Sequence, residues 1–108
     1  MSVIIPWGTD PAFEQTVLLS RRPYVLRAKW NVLHEYWTLD IEAQDGTLLL
    51  AGAKLVLDIE LLRRFQRSDL PPGFLLPVTI AGNVDRIGRN SIGRNVSLVY
   101  FEPEEILT

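Results

Sequence analysis

The sequence predicts an all-β fold, mainly antiparallel: a compact β-barrel or sandwich of about seven short strands with one short helix near residues 58–66. Three observations predict it. Apolar and polar residues alternate over long stretches, the period of a half-buried strand. Turn residues punctuate the chain at short intervals. Only one segment exchanges alternation for a helical spacing. At 108 residues the chain suits one domain, expected to span 1–108 with flexible arms at 1–12 and 102–108.

Taken in order, "EQTVLLS" reads as a strand, joined by a short turn at "RRP" to the next. In "YVLRAKWNV", Tyr24, Leu26, Ala28, Trp30 and Val32 share one face, and Arg27, Lys29 and Asn31 the other. "YWTLDIEA" turns Trp37, Leu39, Ile41 and Ala43 inward and Thr38, Asp40 and Glu42 outward. Paired as a hairpin through "VLHE", these strands bring Arg27 and Lys29 towards Asp40 and Glu42, each pair worth at most about 1 kcal/mol. "QDG" (44–46) has turn chemistry and makes 37–43 and 47–50 a second hairpin. Gly52 marks a bend or bulge before "AKLVL".

From Asp58 the period changes. "DIELLRRFQ" opens on an N-cap residue and sets Ile59, Leu62 and Phe65 on one side, a helix of about two turns. "SDLPPG" ends it. "FLLPVTIAG" is a strand whose Pro77 requires an edge position or a bulge. In "NVSLVYF" both faces are largely apolar, which makes this strand central or covered by a partner. The acidic "EPEEILT" is either a frayed tail or a docking segment, the latter through Ile106 and Leu107. Trp7, in the apolar "IIPWG", lies outside any alternating strand. Such a stretch adds a strand either to its own sheet or to a neighbour's.

Composition narrows the chemistry. Cysteine is absent and His34 is the only histidine, so disulfides and thiol nucleophiles are excluded and an N/S zinc site has almost no ligands to draw on. Eleven basic against thirteen acidic residues give a net charge of −2, against the basic excess of a duplex-DNA binder. No apolar run reaches membrane-spanning length. "MSVIIPWGTD" has no basic region and no long apolar region, so synthesis is expected in the cytoplasm.

The near-repeat "RIGRNSIGRN" (86–95) carries Arg86, Arg89 and Arg94. A phosphate loop needs a helix N-terminus behind its glycines, whereas this segment runs into a strand. The glycines read instead as two positive-φ positions in a wide turn, with arginines projecting as interface candidates. His34 and Glu35 are neighbours on a hairpin and face opposite ways. Asp40 and Glu42 share a face, as catalytic carboxylates do, but on a solvated strand. No constellation supports an enzyme, a cofactor or a metal.

The order of signals resembles a family of small phage and prophage tail proteins, the baseplate plug domain of contractile-tailed phages. The residues that carry it are Trp37 to Asp40, Asp45-Gly46, Gly52 to Leu55, Pro72-Gly73, and Asp85 through Gly93 to Val96, Leu98 and Tyr100. It covers about residues 35–101, and the doubled Ile-Gly-Arg-Asn is longer and more basic than the family pattern. The resemblance implies a non-enzymatic, largely β structural subunit of the virion, at the hub where tail tube meets baseplate. It implies no cofactor. The expected partners are tube and hub proteins in a threefold or sixfold assembly that the chain plugs or lines, with no membrane or nucleic acid. Trp7, Arg86, Arg89, Arg94, Ile106 and Leu107 are the expected contacts. The alternative is a small β-barrel gripping single-stranded nucleic acid through Arg27, Lys29 and exposed aromatics, a reading the net negative charge opposes.

Overall fold

The alternation in residues 24–31 and 36–43 builds the middle of a four-stranded sheet. A computed structural model describes residues 2–65 and 69–106, side chains of Arg64, Glu105 and Ile106 excepted. The strands are β1 (Val3–Ile4), β2 (Ala12–Leu19), β3 (Arg22–Asn31), β4 (Tyr36–Ala43), β5 (Leu48–Lys54), β6 (Phe74–Thr79) and β7 (Val96–Phe101). A four-residue helix, α1 (Pro103–Ile106), follows. One sheet has the order β2-β3-β4-β5 and the other β1-β7-β6, every pair antiparallel. The two sheets face each other as a sandwich, and among the described residues no ladder closes them into a barrel.

The inner faces are those read from the alternation. Leu19, Tyr24, Leu26, Trp37, Leu39 and Ile41 from the larger sheet pack with Ile5, Leu75, Val96, Leu98 and Tyr100 from the smaller. Val32 departs from the expected face. The β3–β4 ladder ends at Asn31 opposite Tyr36, so Val32 rides in the turn, 76% exposed. That turn is fixed by Asn31, whose side-chain oxygen accepts the His34 N–H at 2.9 Å. Its carbonyl accepts Glu35 N–H, with Glu35 in the left-handed region.

Arg27 sits between Glu14 on β2 (3.2 Å) and Glu42 on β4 (2.9 Å), while Lys29 stands opposite Thr38. Asp40 does different work. Its carboxylate accepts the Gly52 N–H at 2.6 Å, where Gly52 takes a positive φ and the β4–β5 register shifts. The bulge keeps Leu48–Leu50 and the start of "AKLVL" in one strand. In the preceding turn the Asp45 carboxylate accepts Thr47 N–H, a bond that holds its pKa below the usual value.

Pro77 is on an edge strand. On that edge the Leu75 and Pro77 carbonyls accept the N–H groups of Leu61 and Asp58, so the missing donor of Pro77 falls on the side away from β7. This contact also explains why the helix expected at 58–66 does not form. Asp58 adopts a left-handed φ, and its N–H and that of Leu61 are bonded to β6 instead of to a preceding turn. Only a 3₁₀ turn, Arg63–Phe65, remains. The Glu60 carboxylate caps it, accepting the N–H groups of Leu62 (2.9 Å) and Arg63 (2.6 Å), and reaches Leu75 N–H on β6 at 2.8 Å. Residue 66 lies outside the described residues.

β7 is central, between β1 and β6. Its buried Tyr100 hydroxyl accepts the Gly73 N–H at 2.7 Å and donates to Ser20 Oγ at 2.7 Å. Ser20 in turn donates to the Glu102 carboxylate, so the chain of bonds ties the β2–β3 turn to the end of β7. Burial pushes the Tyr100 hydroxyl above its ordinary pKa of 10.0. The folded state therefore holds this proton more tightly than the unfolded one. The stability due to it is complete below pH 10.0 and declines as pH rises towards the folded-state pKa. Tyr100→Phe is expected to lose about 1–3 kcal/mol at neutral pH, since the buried Gly73 N–H loses its acceptor. It is also expected to flatten the alkaline limb of stability against pH. Urea titrations of both proteins between neutrality and high pH check this; equal slopes would contradict it.

Candidate functional site

The structure answers what the doubled Ile-Gly-Arg-Asn does. Ile87 and Ile92 are both buried and join the core, so each copy pins its loop to the sandwich with an isoleucine. The second copy is a tight turn in which the Ser91 carbonyl accepts the N–H groups of Arg94, Asn95 and Val96. Gly93 has the expected positive φ, but Gly88 does not. Gly88 N–H is instead held by the Ser91 hydroxyl at 2.8 Å, a side-chain bond that needs no left-handed backbone.

The predicted contact residues separate into two groups. Trp7 and Arg89 come together over Trp37. Trp7 meets Trp37 edge-on at 5.1 Å and Phe13 at 4.9 Å, and Trp30 meets Trp37 at 5.6 Å. The Arg89 guanidinium lies 5.5 Å from the Trp37 ring centre and donates to the Thr9 carbonyl at 2.6 Å. That bond fastens the 86–95 loop to the segment before β2. The apolar N-terminal stretch adds a strand to its own sheet, with Val3 opposite Tyr100 and Ile5 N–H bonded to the Leu98 carbonyl.

Arg86 and Arg94 point outward. Arg86 stands 3.7 Å from Glu35, both side chains about two-thirds exposed, a pair worth at most about 1 kcal/mol. Arg94 lines an open depression of about 470 Å³ with Asn90, Ser91 and Asn95. Ile106 ends α1, and the side chains of Ile106 and Leu107 lie outside the described residues.

The groups weighed for chemistry have structural partners. Asp40 holds Gly52, Glu42 holds Arg27, and His34 stacks on Tyr36 at 6.3 Å in the hairpin turn. Of the two cations weighed for a nucleic-acid groove, Arg27 lies between two carboxylates, while Lys29 stands opposite Thr38. Among the described residues no group of three or more His, Cys, Asp and Glu side chains is placed to hold a metal ion.

Sequence reasoning read only part of one surface. The larger sheet turns Glu14, Thr16, Arg27, Lys29, Thr38 and Asp40 outward, a polar face. The smaller sheet's register sets Ile4 beside Val99 and Leu76, Phe101 beside Phe74, and Ser97 beside Val78. All but Ser97 are apolar. Val99, although buried, stands outside the core cluster, because it belongs to this outer face. The signal was in "VSLVYF", which lacks the alternation of a strand with one wet side.

Carboxylates spent on backbone N–H groups, outward arginines and an apolar outer sheet face together make a structural protein built for contact. A family model described as cyanophage baseplate Pam3 plug gp18 matches residues 3–104, and the chain belongs to that family. Membership gives it a structural role in a phage baseplate and a place in the virion tail. No curated protein matches the chain.

Proposed function

We propose that this chain docks with tube and hub proteins in a threefold or sixfold baseplate assembly and plugs or lines the end of the tail tube. The observation that carries the reading is the apolar outer face of the β1-β7-β6 sheet, 67% exposed at Ile4, half-buried at Phe74, Leu76, Val78 and Phe101, and buried at Val99. A small domain gains nothing from leaving a sheet face apolar unless another protein covers it. Weak contacts of this kind, repeated around a ring, gain strength from effective concentration.

Arg86 and Arg94 are the docking cations, aimed at an acidic neighbour. Trp7 and Arg89 contribute from within, by holding the 86–95 loop in position, and Ile106 and Leu107 extend the contact at the C-terminal segment. The reading needs no cofactor, catalytic residue, membrane or nucleic acid, and leaves the folded chain non-enzymatic.

Arg94→Glu separates docking from folding. Its side chain is exposed, so thermal unfolding is expected to change by no more than about 2 °C. Affinity for purified hub or tube protein is expected to fall about tenfold through like-charge repulsion. Calorimetric titration of both proteins against each partner checks this. Unchanged affinity for both partners would remove Arg94 from the contact.

A further inference from the structure

The sandwich has two seams where the edges of its sheets meet, and the chain fills only one. At the β5/β6 seam, residues 55–61 cross between the sheets, giving Leu55 N–H to the Trp37 carbonyl, Asp58 N–H to Pro77 and Leu61 N–H to Leu75. At the β1/β2 seam there is no ladder among the described residues. Its links are the Gln15 side-chain amide on the Pro6 carbonyl (2.7 Å) at one end and Ser20 with Glu102 at the other.

Register identifies the backbone groups left over. Ser20 and Arg21, both with positive φ, form a two-residue turn that makes Leu19 and Arg22 its closing pair. Trp30 N–H on the Pro11 carbonyl continues the same parity. Odd residues of β2 therefore bond β3, and the N–H and C=O groups of Ala12, Glu14, Thr16 and Leu18 point into the seam. On β1, Ile5 bonds Leu98 and Val3 faces Tyr100, so the backbone of Ile4 points to the same seam. Among the described residues none of these groups has a hydrogen-bond partner.

Natural edge strands of this length are usually blunted by lysine, proline or a bulge. β2 carries none of the three over its eight residues, Glu14 is its one charged side chain, and its ladder with β3 runs without a register shift. On the outer surface the seam is flanked by Leu18 and Ile4, 65% and 67% exposed.

We infer that the open β2 edge, over Glu14–Leu18, accepts an extended strand from a neighbouring tail protein, with an apolar side chain seated between Leu18 and Ile4. The inference rests on the baseplate reading and adds the form of the partner. β1 runs along the same seam, tethered through Pro6 and Gln15, and an extended segment offers the β2 edge the matching row of N–H and C=O groups. Main-chain bonds to β2 supply affinity, and the apolar seat supplies selectivity.

Amide hydrogen exchange on the isolated chain and on intact tail particles tests this. In the isolated chain, Thr16 and Leu18 amides are expected to exchange openly while Val17 and Leu19 are protected. In particles, Thr16 and Leu18 are expected to gain protection of about tenfold or more. Thr16→Pro removes only the seam-facing donor, so it is expected to fold as the parent does and enter particles about tenfold less. Thr16→Lys, which blunts the edge without touching the backbone, is expected to do the same. Open exchange at Thr16 and Leu18 in particles, or normal entry of both variants, would overturn the added strand while leaving the baseplate reading in place. Concentration-dependent protection in the isolated chain would assign the edge to a second copy and overturn the heterologous partner. Absence of the parent chain from particles would overturn both.

Discussion

Gly73→Ala is expected to destabilise the fold by about 3–4 kcal/mol, lowering the melting temperature by roughly 15 °C. The φ angle is not the reason. A Cβ at Gly73 would overlap the Phe101 carbonyl oxygen and lie 2.6 Å from Tyr100 Cζ. Neither obstacle is the loose end of a flexible side chain: one is backbone, and the other is a ring buried at 0% exposure. Relief requires β6 to draw away from β7, which stretches the Gly73 N–H bond to the Tyr100 hydroxyl. That bond starts the chain through Ser20 to Glu102, so the link between the sheets weakens with it. Thermal and urea unfolding of the purified variant check this, and a loss below about 1 kcal/mol would contradict the close approach.

Trp37→Ala is expected to cost about 4–5 kcal/mol, from lost burial plus the cavity left behind. Trp37 is fully buried, and Trp7, Phe13 and Trp30 all meet it edge-on. Its removal also takes away the ring under Arg89, and with it part of what holds the 86–95 loop near Thr9. The variant should therefore be less stable and exchange its loop amides faster. Denaturant unfolding and amide exchange across residues 86–95 provide the two readouts. A stability loss under about 2 kcal/mol would mean that the aromatic cluster is not the anchor of the N-terminal segment.

How much of this was legible follows from which forces are local. The inward faces of β3 and β4 could be read because alternation records burial residue by residue. Asp45-Gly46 announced its turn, and Pro77 its edge, because a missing N–H restricts where a residue can sit. Residues 58–66 misled because helical spacing is a local signal, while the sheet edge that captures Asp58 and Leu61 lies far along the chain. Glu60 reads as an ordinary charged residue: its bonds to Leu62 and Arg63 are local, but the one to Leu75 depends on β6 being adjacent. The left-handed turn at Ser20 and Arg21 has no glycine or asparagine to announce it.

The residues expected to make contacts could be read in type, whereas their placement could not. Arginines in a loop are visible in the sequence, whereas the division into inward Arg89 and outward Arg86 and Arg94 depends on where Trp37 and Thr9 come to lie. The apolar outer face was half visible. "VSLVYF" indicates a strand without a wet side, but only the register with β1 and β6 gathers Ile4, Phe74 and Leu76 around Val99.

Quantitative mass spectrometry of purified, intact tail particles tests the central claim most directly. The account predicts this chain at a fixed stoichiometry with tube and hub proteins, in a ratio set by a threefold or sixfold ring. Its absence from particles while abundant in the lysate would contradict a structural place in the baseplate.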